Sequence, residues 1–204
     1  MRKQPSKPIR KTQDVLDMQD YLKAASNRTV EGRRNYILFL IGITTGYRAG
    51  DLVGLKVRDA REAIRHGYFL IQEGKKYNSK NIRQKNRKPR QAEIIPKVAK
   101  ELKLYIKDKR DYEWLFPSRK GGAIGVQAIS NILKDAAAYF GIKGITAHSM
   151  RKTYAYKIYM DSGKDVVAVK ELLGHSSIEE TKLYLGLDQE KYHEYTKSLN
   201  DFVR

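Results

Sequence analysis

The chain has 204 residues, 41% of them hydrophobic, which suffices for one domain with short extensions and a proper core. It has no cysteine, which excludes disulfides, thiol nucleophiles and cysteine metal sites, and no apolar run approaches the roughly 18 residues of a membrane span. Forty-one Lys and Arg against 23 Asp and Glu leave a net charge of +18; that predicts attraction to a polyanion, nucleic acid ahead of a membrane surface because no basic amphipathic helix stands out. Charge alone separates neither DNA from RNA nor an enzyme from a binder.

Residues 1–11 are basic, contain two prolines and read as a mobile arm. Thr12 caps a predicted helix through about Ala25, with Val15, Leu16, Met18 and Leu22 on one face. Tyr36 to Ile43 is almost wholly apolar and predicts a buried helix that runs into Thr44-Thr45-Gly46-Tyr47-Arg48. Asp51, Leu52 and Leu55 follow as a further helical turn. Tyr68 to Ile71 and Glu93 to Ile95 read as strands, rich in β-branched and aromatic residues. Between them lies a basic stretch with almost no apolar content, carrying Lys75, Lys76, Lys80, Arg83, Lys85, Arg87, Lys88 and Arg90. It predicts a solvated loop or hairpin tip, and on so basic a chain a DNA-contacting one.

Pro96 opens a helix with Val98, Leu102 and Ile106 on one face. Trp114-Leu115-Phe116-Pro117 forms a short aromatic plug before the Lys120-Gly121-Gly122 turn. A helix from about Val126 to Phe140 stops at Gly141, and another runs from near His148 to Met160. Asp165 caps Val166 to Leu173, closed by Gly174; Ser177 with Glu180 makes a capping box for a helix approaching Tyr184. A last helix, about Gln189 to Val203, carries Tyr192, Tyr195, Leu199 and Phe202 on one stripe. The fold class is α+β, mostly helical, with a small antiparallel sheet.

Some residues do not serve these elements. Arg48 follows Gly46-Tyr47, His148-Ser149-Met150-Arg151 opens a helix, and His175 precedes Tyr184 by nine positions. Taken singly each is ordinary: Tyr184 is one of 14 tyrosines, and an arginine commonly makes a backbone contact or an ion pair. Together they suit covalent cleavage of a phosphodiester. That reaction needs a nucleophile, cations on the nonbridging oxygens, an acid for the leaving oxygen and a base for the nucleophile's proton. Arginine's planar fork binds phosphate bidentately and stays charged, and a tyrosyl phosphodiester stores the broken bond's energy for rejoining.

The set resembles the tyrosine recombinases, or phage-type integrases. Gly46-Tyr47-Arg48-Ala49-Gly50-Asp51-Leu52 is similar to their first arginine motif, His148-Ser149-Met150-Arg151 to their His-x-x-Arg motif, and Leu172-Leu173-Gly174-His175-Ser176-Ser177 to their Leu-Gly-His motif. Tyr184 stands at the family spacing, and the resemblance covers roughly residues 10 to 190. It implies a tyrosine recombinase catalytic core over residues 12–187. Arg48 and Arg151 would clamp the scissile phosphate and Tyr184 would attack it. His148 would assist proton transfer, His175 would hydrogen-bond a phosphate oxygen, and Asp51 would support Arg48. A hairpin lysine would protonate the leaving oxygen. Lys75 is the choice by position, with Lys76, Lys85 and Lys88 as rivals.

The resemblance further implies double-stranded DNA as partner and strand breakage and rejoining without metal or cofactor. It also implies assembly as a homotetramer on DNA, with the free protein a monomer, and a cytoplasmic location in a bacterium, phage or mobile element. Residues 188–204 would be a C-terminal helix, either packed within its own chain or exchanged between subunits. Most such recombinases carry a separate N-terminal DNA-clamping domain, so the chain is expected to be a fragment or a short form like the fimbrial phase-variation invertases. A type IB topoisomerase and a non-catalytic DNA binder of the same fold are the alternatives. The Leu-Gly-His motif counts against the first, and Tyr184, which a pure binder has no need of, against the second.

Overall fold

A computed structural model describes residues 6–72 and 89–187. Numbered over those residues, helix α1 spans Thr12–Ser26 and α2 Val30–Thr45, and the short α3 (Ala49–Val53) leads into α4, Val57–His66. Strands β1 (Tyr68–Ile71) and β2 (Arg90–Glu93) follow, then α5 (Pro96–Ile106), α6 (Val126–Tyr139), α7 (Ala147–Asp161), α8 (Val166–Leu173) and α9 (Ile178–Leu185). The chain divides into two compact units, Met1–Tyr154 and Ala155–Arg204, with the boundary inside α7. Among the described residues no helix is long and apolar enough to cross a membrane.

The first unit is built around α2. Thr29 caps it by accepting from the Gly32 amide at 2.9 Å, and the run Tyr36 to Ile41 is buried throughout. Helix α2 starts six residues before its apolar run because the cap supports a polar first turn and a half. One residue of that turn, Arg34, is buried and spans to the Pro117 carbonyl at 2.6 Å. Helix α1 packs on α2, burying Met18 and Leu22 with Val15 partly covered. Leu16 departs from the expected stripe and is exposed, since positions 15, 18 and 22 recur at the helical period and position 16 turns away from it.

Helix α5 closes on α2 and α4 through Val98, Leu102, Tyr105 and Ile106. Leu115 and Phe116 plug the core, with the Leu115 amide on the Leu55 carbonyl. Helix α4 escaped the sequence reading because its buried face is Val57, Ala60 and Ala63, small residues set among charges. Its first turn is secured by Asp59, which accepts from the Lys56 amide at 2.7 Å.

The two strands pair antiparallel, Tyr68 with Glu93 through Ile71 with Arg90. The second strand therefore lies earlier than the apolar residues Ile94 and Ile95 predict. Pairing carries on only to the Ile94 amide, which donates to Gly67, and Ile95 then becomes the N-cap of α5. Residues 7–9 also differ from a mobile arm. The Lys7 amide bonds the Gly144 carbonyl, Ile9 is buried, and its amide donates to the Thr153 hydroxyl at 2.9 Å. Ile9 is the apolar residue in a basic run, and burying such a side chain contributes about 1.5–3 kcal/mol, which together with the two hydrogen bonds offsets much of the backbone entropy lost in ordering these residues.

In the second unit α8 packs on α9. Asp165 caps α8 by accepting from the amides of Val167 and Ala168, and Gly174 ends it in the left-handed region. Ser177 caps α9 through the Glu180 amide at 3.1 Å. The expected capping box is completed differently, because the Glu180 carboxylate accepts from the amide and hydroxyl of Ser176, one residue before the cap.

Candidate active site

In the first unit the candidate residues gather where α2 ends. Gly46 adopts φ 61°, and a Cβ there would fall 2.3 Å from the Tyr154 ring, so both conformation and space demand glycine. The turn sends Tyr47 into the core, fully buried, and makes Arg48 the N-cap of α3. The Tyr47 hydroxyl sits between the carbonyls of Phe69 on β1 and Arg90 on β2. Arg48 is half-buried, and Asp51 stands half-buried on α3 with its amide bonded to the Arg48 carbonyl.

Arg151 projects from the first turns of α7 and is 1% exposed. Its Nη1 donates to the Gly46 carbonyl at 2.6 Å. Arg90 donates Nη2 to the neighbouring Thr45 carbonyl at 2.9 Å and lies with Cζ 3.9 Å from the centre of the Tyr47 ring. Two guanidiniums thus meet the carbonyl end of α2, where the helix presents partial negative charge. Burial pushes the Tyr154 phenol up, and the Arg90 and Arg151 guanidiniums pull it back. His148 is exposed one turn before Arg151. Its helix start is held by Ser149, which accepts from the Thr146 amide, and Ser130, which accepts from the Ala147 amide.

In the second unit Gly174 turns the chain out of α8 and His175 follows, 8% exposed. Its Nδ1 lies 3.0 Å from the hydroxyl of Thr181, itself fully buried on α9. That hydroxyl donates to the Ser177 carbonyl at 3.2 Å. The donor and acceptor roles of Nδ1 and Thr181 follow the imidazole tautomer, and the contact orients the ring in either case. Tyr184, half-buried one turn further along α9, meets the imidazole edge-on with ring centres 5.1 Å apart.

Arg48, His148 and Arg151 therefore belong to the first unit, and His175 pairs with Tyr184 in the second. Lys75, Lys76, Lys80, Arg83, Lys85, Arg87 and Lys88 lie outside the described residues. Arg90, grouped with them by sequence, is a strand residue anchored to the Thr45–Tyr47 turn. Tyr47, Tyr154 and Thr181 went unrecognised as parts of the site. Tyr154 follows Arg151 by three positions, one helical turn, and that spacing is the signal that marks it.

Residues 13–191 match the Phage integrase family. The chain is 29% identical over 184 residues to the "Probable integrase/recombinase YoeC" of Bacillus subtilis (strain 168), covering 90% of this chain and 91% of that protein. It is 30% identical over 183 residues to tyrosine recombinase XerD of Rhizobium meliloti (strain 1021), covering 86% of this chain and 54% of that one. The chain thus spans nearly the whole of the first relative and about half of the second. Among solved structures, XerA recombinase superposes with a TM-score of 0.66 at 21% identity, over 97% of this chain and 65% of that one. XerH site-specific recombinase bound to its palindromic difH substrate gives 0.66 at 20% identity, over 94% and 52%; both establish a shared fold. With the family match spanning most of its length and this fold beneath it, the chain belongs to the phage integrase family, the tyrosine recombinases that break and rejoin DNA strands.

Proposed function

We propose that the chain cleaves one strand of a duplex DNA site through a 3′-phosphotyrosyl intermediate, with Tyr184 as nucleophile. The Tyr184 oxygen forms a bond to phosphorus as the bond to the 5′ oxygen breaks, and the phenol proton passes to a base assisted by His148. The leaving oxygen takes a proton from a lysine of the 75–88 segment, Lys75 by position. Arg48 and Arg151 neutralise the nonbridging oxygens as their charge grows, and His175 hydrogen-bonds one of them. Rejoining runs the same steps backwards with an incoming 5′ hydroxyl. Exchange between two sites requires more than one cleaving subunit, hence a tetramer on DNA, and acting on chromosomal or mobile-element DNA means acting in the cytoplasm.

The observation that carries this reading is the packing of Tyr184 edge-on against an imidazole that Thr181 holds in one orientation. A tyrosine serving only the core has no need of a histidine oriented in this way. Because the target is open, the test uses a pool of nicked suicide duplexes with a randomised centre and no metal. Protein–DNA adducts that survive denaturant are recovered and sequenced. The wild type is expected to yield adducts on a recurrent sequence, and Tyr184→Phe to yield none while binding the same duplex. Persistence of the adduct in Tyr184→Phe overturns the nucleophile assignment; wild-type binding without any adduct supports a non-catalytic binder instead.

A further inference from the structure

Arg90 ends the basic run that the sequence assigns to DNA contact, yet its environment is that of a fastener. It opens β2 opposite Ile71. Its side chain stacks on Tyr47 at 3.9 Å and donates to the Thr45 carbonyl at 2.9 Å. Its own carbonyl accepts from the Tyr47 hydroxyl, which also lies 3.1 Å from the Phe69 carbonyl. Side chain and backbone of one residue therefore grip both flanks of Gly46, from Thr45 on one side to Tyr47 on the other. Arg151 grips Gly46 itself through its carbonyl. The next residue along the chain is Arg48.

Three physical points follow. The turn contains a left-handed glycine, the residue with the most conformational freedom to lose, so external restraints are what hold it in one shape. Stacking on a ring and donating in the plane at the same time requires a flat guanidinium; a lysine ammonium, a point charge on a flexible stem, does one or the other. Arg48 acts at the end of a long side chain, so a shift of about 1 Å in its backbone is enough to cost on the order of 100-fold in rate.

We propose that Arg90 is a positioning residue for strand cleavage. It locks the Thr45–Tyr47 turn so that Arg48 meets the phosphate, and it ties that turn to the strand pair from which the 73–88 segment departs. This rests on the recombinase reading above, with Arg48 as a phosphate clamp.

The test measures two quantities on a duplex recovered from the adduct pool: the salt dependence of DNA binding, and the single-turnover rate constant of adduct formation at saturating protein. A positioning role predicts that Arg90→Met and Arg90→Lys both slow cleavage on the order of 100-fold. Both leave the log–log salt slope of binding at the wild-type value. Tyr47→Leu is expected to slow cleavage similarly, and the double variant Tyr47→Leu/Arg90→Met no further, because the pair acts as one unit. Thermal melting separates this from loss of folded protein, which lowers the amount of adduct rather than its rate constant. If Tyr47→Leu does not fold, the comparison of Arg90→Lys with Arg90→Met decides.

Cleavage near the wild-type rate in Arg90→Lys overturns the proposal. So does a salt slope shallower by about 0.9, the signature of a lost phosphate contact. Wild-type protein that binds but forms no adduct overturns the recombinase reading and takes this inference with it. A wild type that cleaves beside Arg90 variants that cleave equally well overturns the inference alone.

Discussion

His175 shows how much one neighbour decides. Thr181 fixes the orientation of the imidazole through its contact with Nδ1, which leaves Nε2 as the other ring nitrogen for a substrate. Thr181→Val keeps the shape and removes the partner. Cleavage is expected to slow by on the order of 10-fold while DNA affinity stays the same, because second partners of a working histidine orient it rather than bind substrate. Adduct formation rates on a fixed duplex check this, and an unchanged rate rejects the orienting role. Tyr105 makes a different statement at the same scale. Burial pushes its phenol well up, and its hydroxyl donates to the Leu115 carbonyl at 2.7 Å. Above about pH 10 the unfolded chain loses that proton while the folded chain keeps it, so stability falls as pH rises. Melting temperature followed from neutral to alkaline pH should therefore bend down above about pH 10. Tyr105→Phe should bend less there and cost about 1 kcal/mol at neutral pH for the stranded carbonyl. Equal curvature in both proteins would contradict the assignment.

Elements were legible wherever punctuation and periodicity agreed. Helix α8 between Asp165 and Gly174, and α9 behind Ser177, run where their caps place them. Helix α4 was invisible because alanines carry little periodic signal, and β2 was misplaced because Ile94 and Ile95 outweigh Arg90 to Glu93 in strand propensity. Register belongs to the partner strand, and no local composition reveals it. The caps are testable in turn. Ser177→Ala removes the acceptor for the Glu180 amide at the start of the helix that carries Tyr184. It is expected to destabilise that helix by about 1 kcal/mol. Amide exchange along α9 should rise while α2 stays protected; exchange rising equally in both would mean that the cap is not local.

Across the whole chain, the candidate site residues stand out in the sequence, and the residues that hold them do not. Arg48, His148, Arg151, His175 and Tyr184 stand in short motifs whose order carries information. The bond from Arg90 to Thr45 crosses 45 positions, and that from Ile9 to Thr153 crosses 144, distances at which sequence pattern is silent. Net charge acts at this scale too. A surplus of +18 that meets about eight phosphates predicts a log–log salt slope near about −7, and neutralising Lys76, Lys80, Arg83 and Lys85 together should flatten it by about 3–4. Binding isotherms across a salt series measure this directly, and a wild-type slope near about −2 would mean few phosphate contacts.

The anchoring of residues 7–9 has a mechanical consequence. Thr153 receives the Ile9 amide two residues after Arg151 on the same helix, so whatever pulls on the chain ahead of residue 7 has a tether to the helix that bears the proposed phosphate-clamping arginine. The family match opens at residue 13, and a protein cut there keeps every candidate catalytic side chain but loses the tether. It should melt lower and cleave more slowly than the full chain, whereas one cut at residue 6 should match it. An isoleucine in a basic segment, three residues before the first helix, thus belongs to the packed body of the first unit.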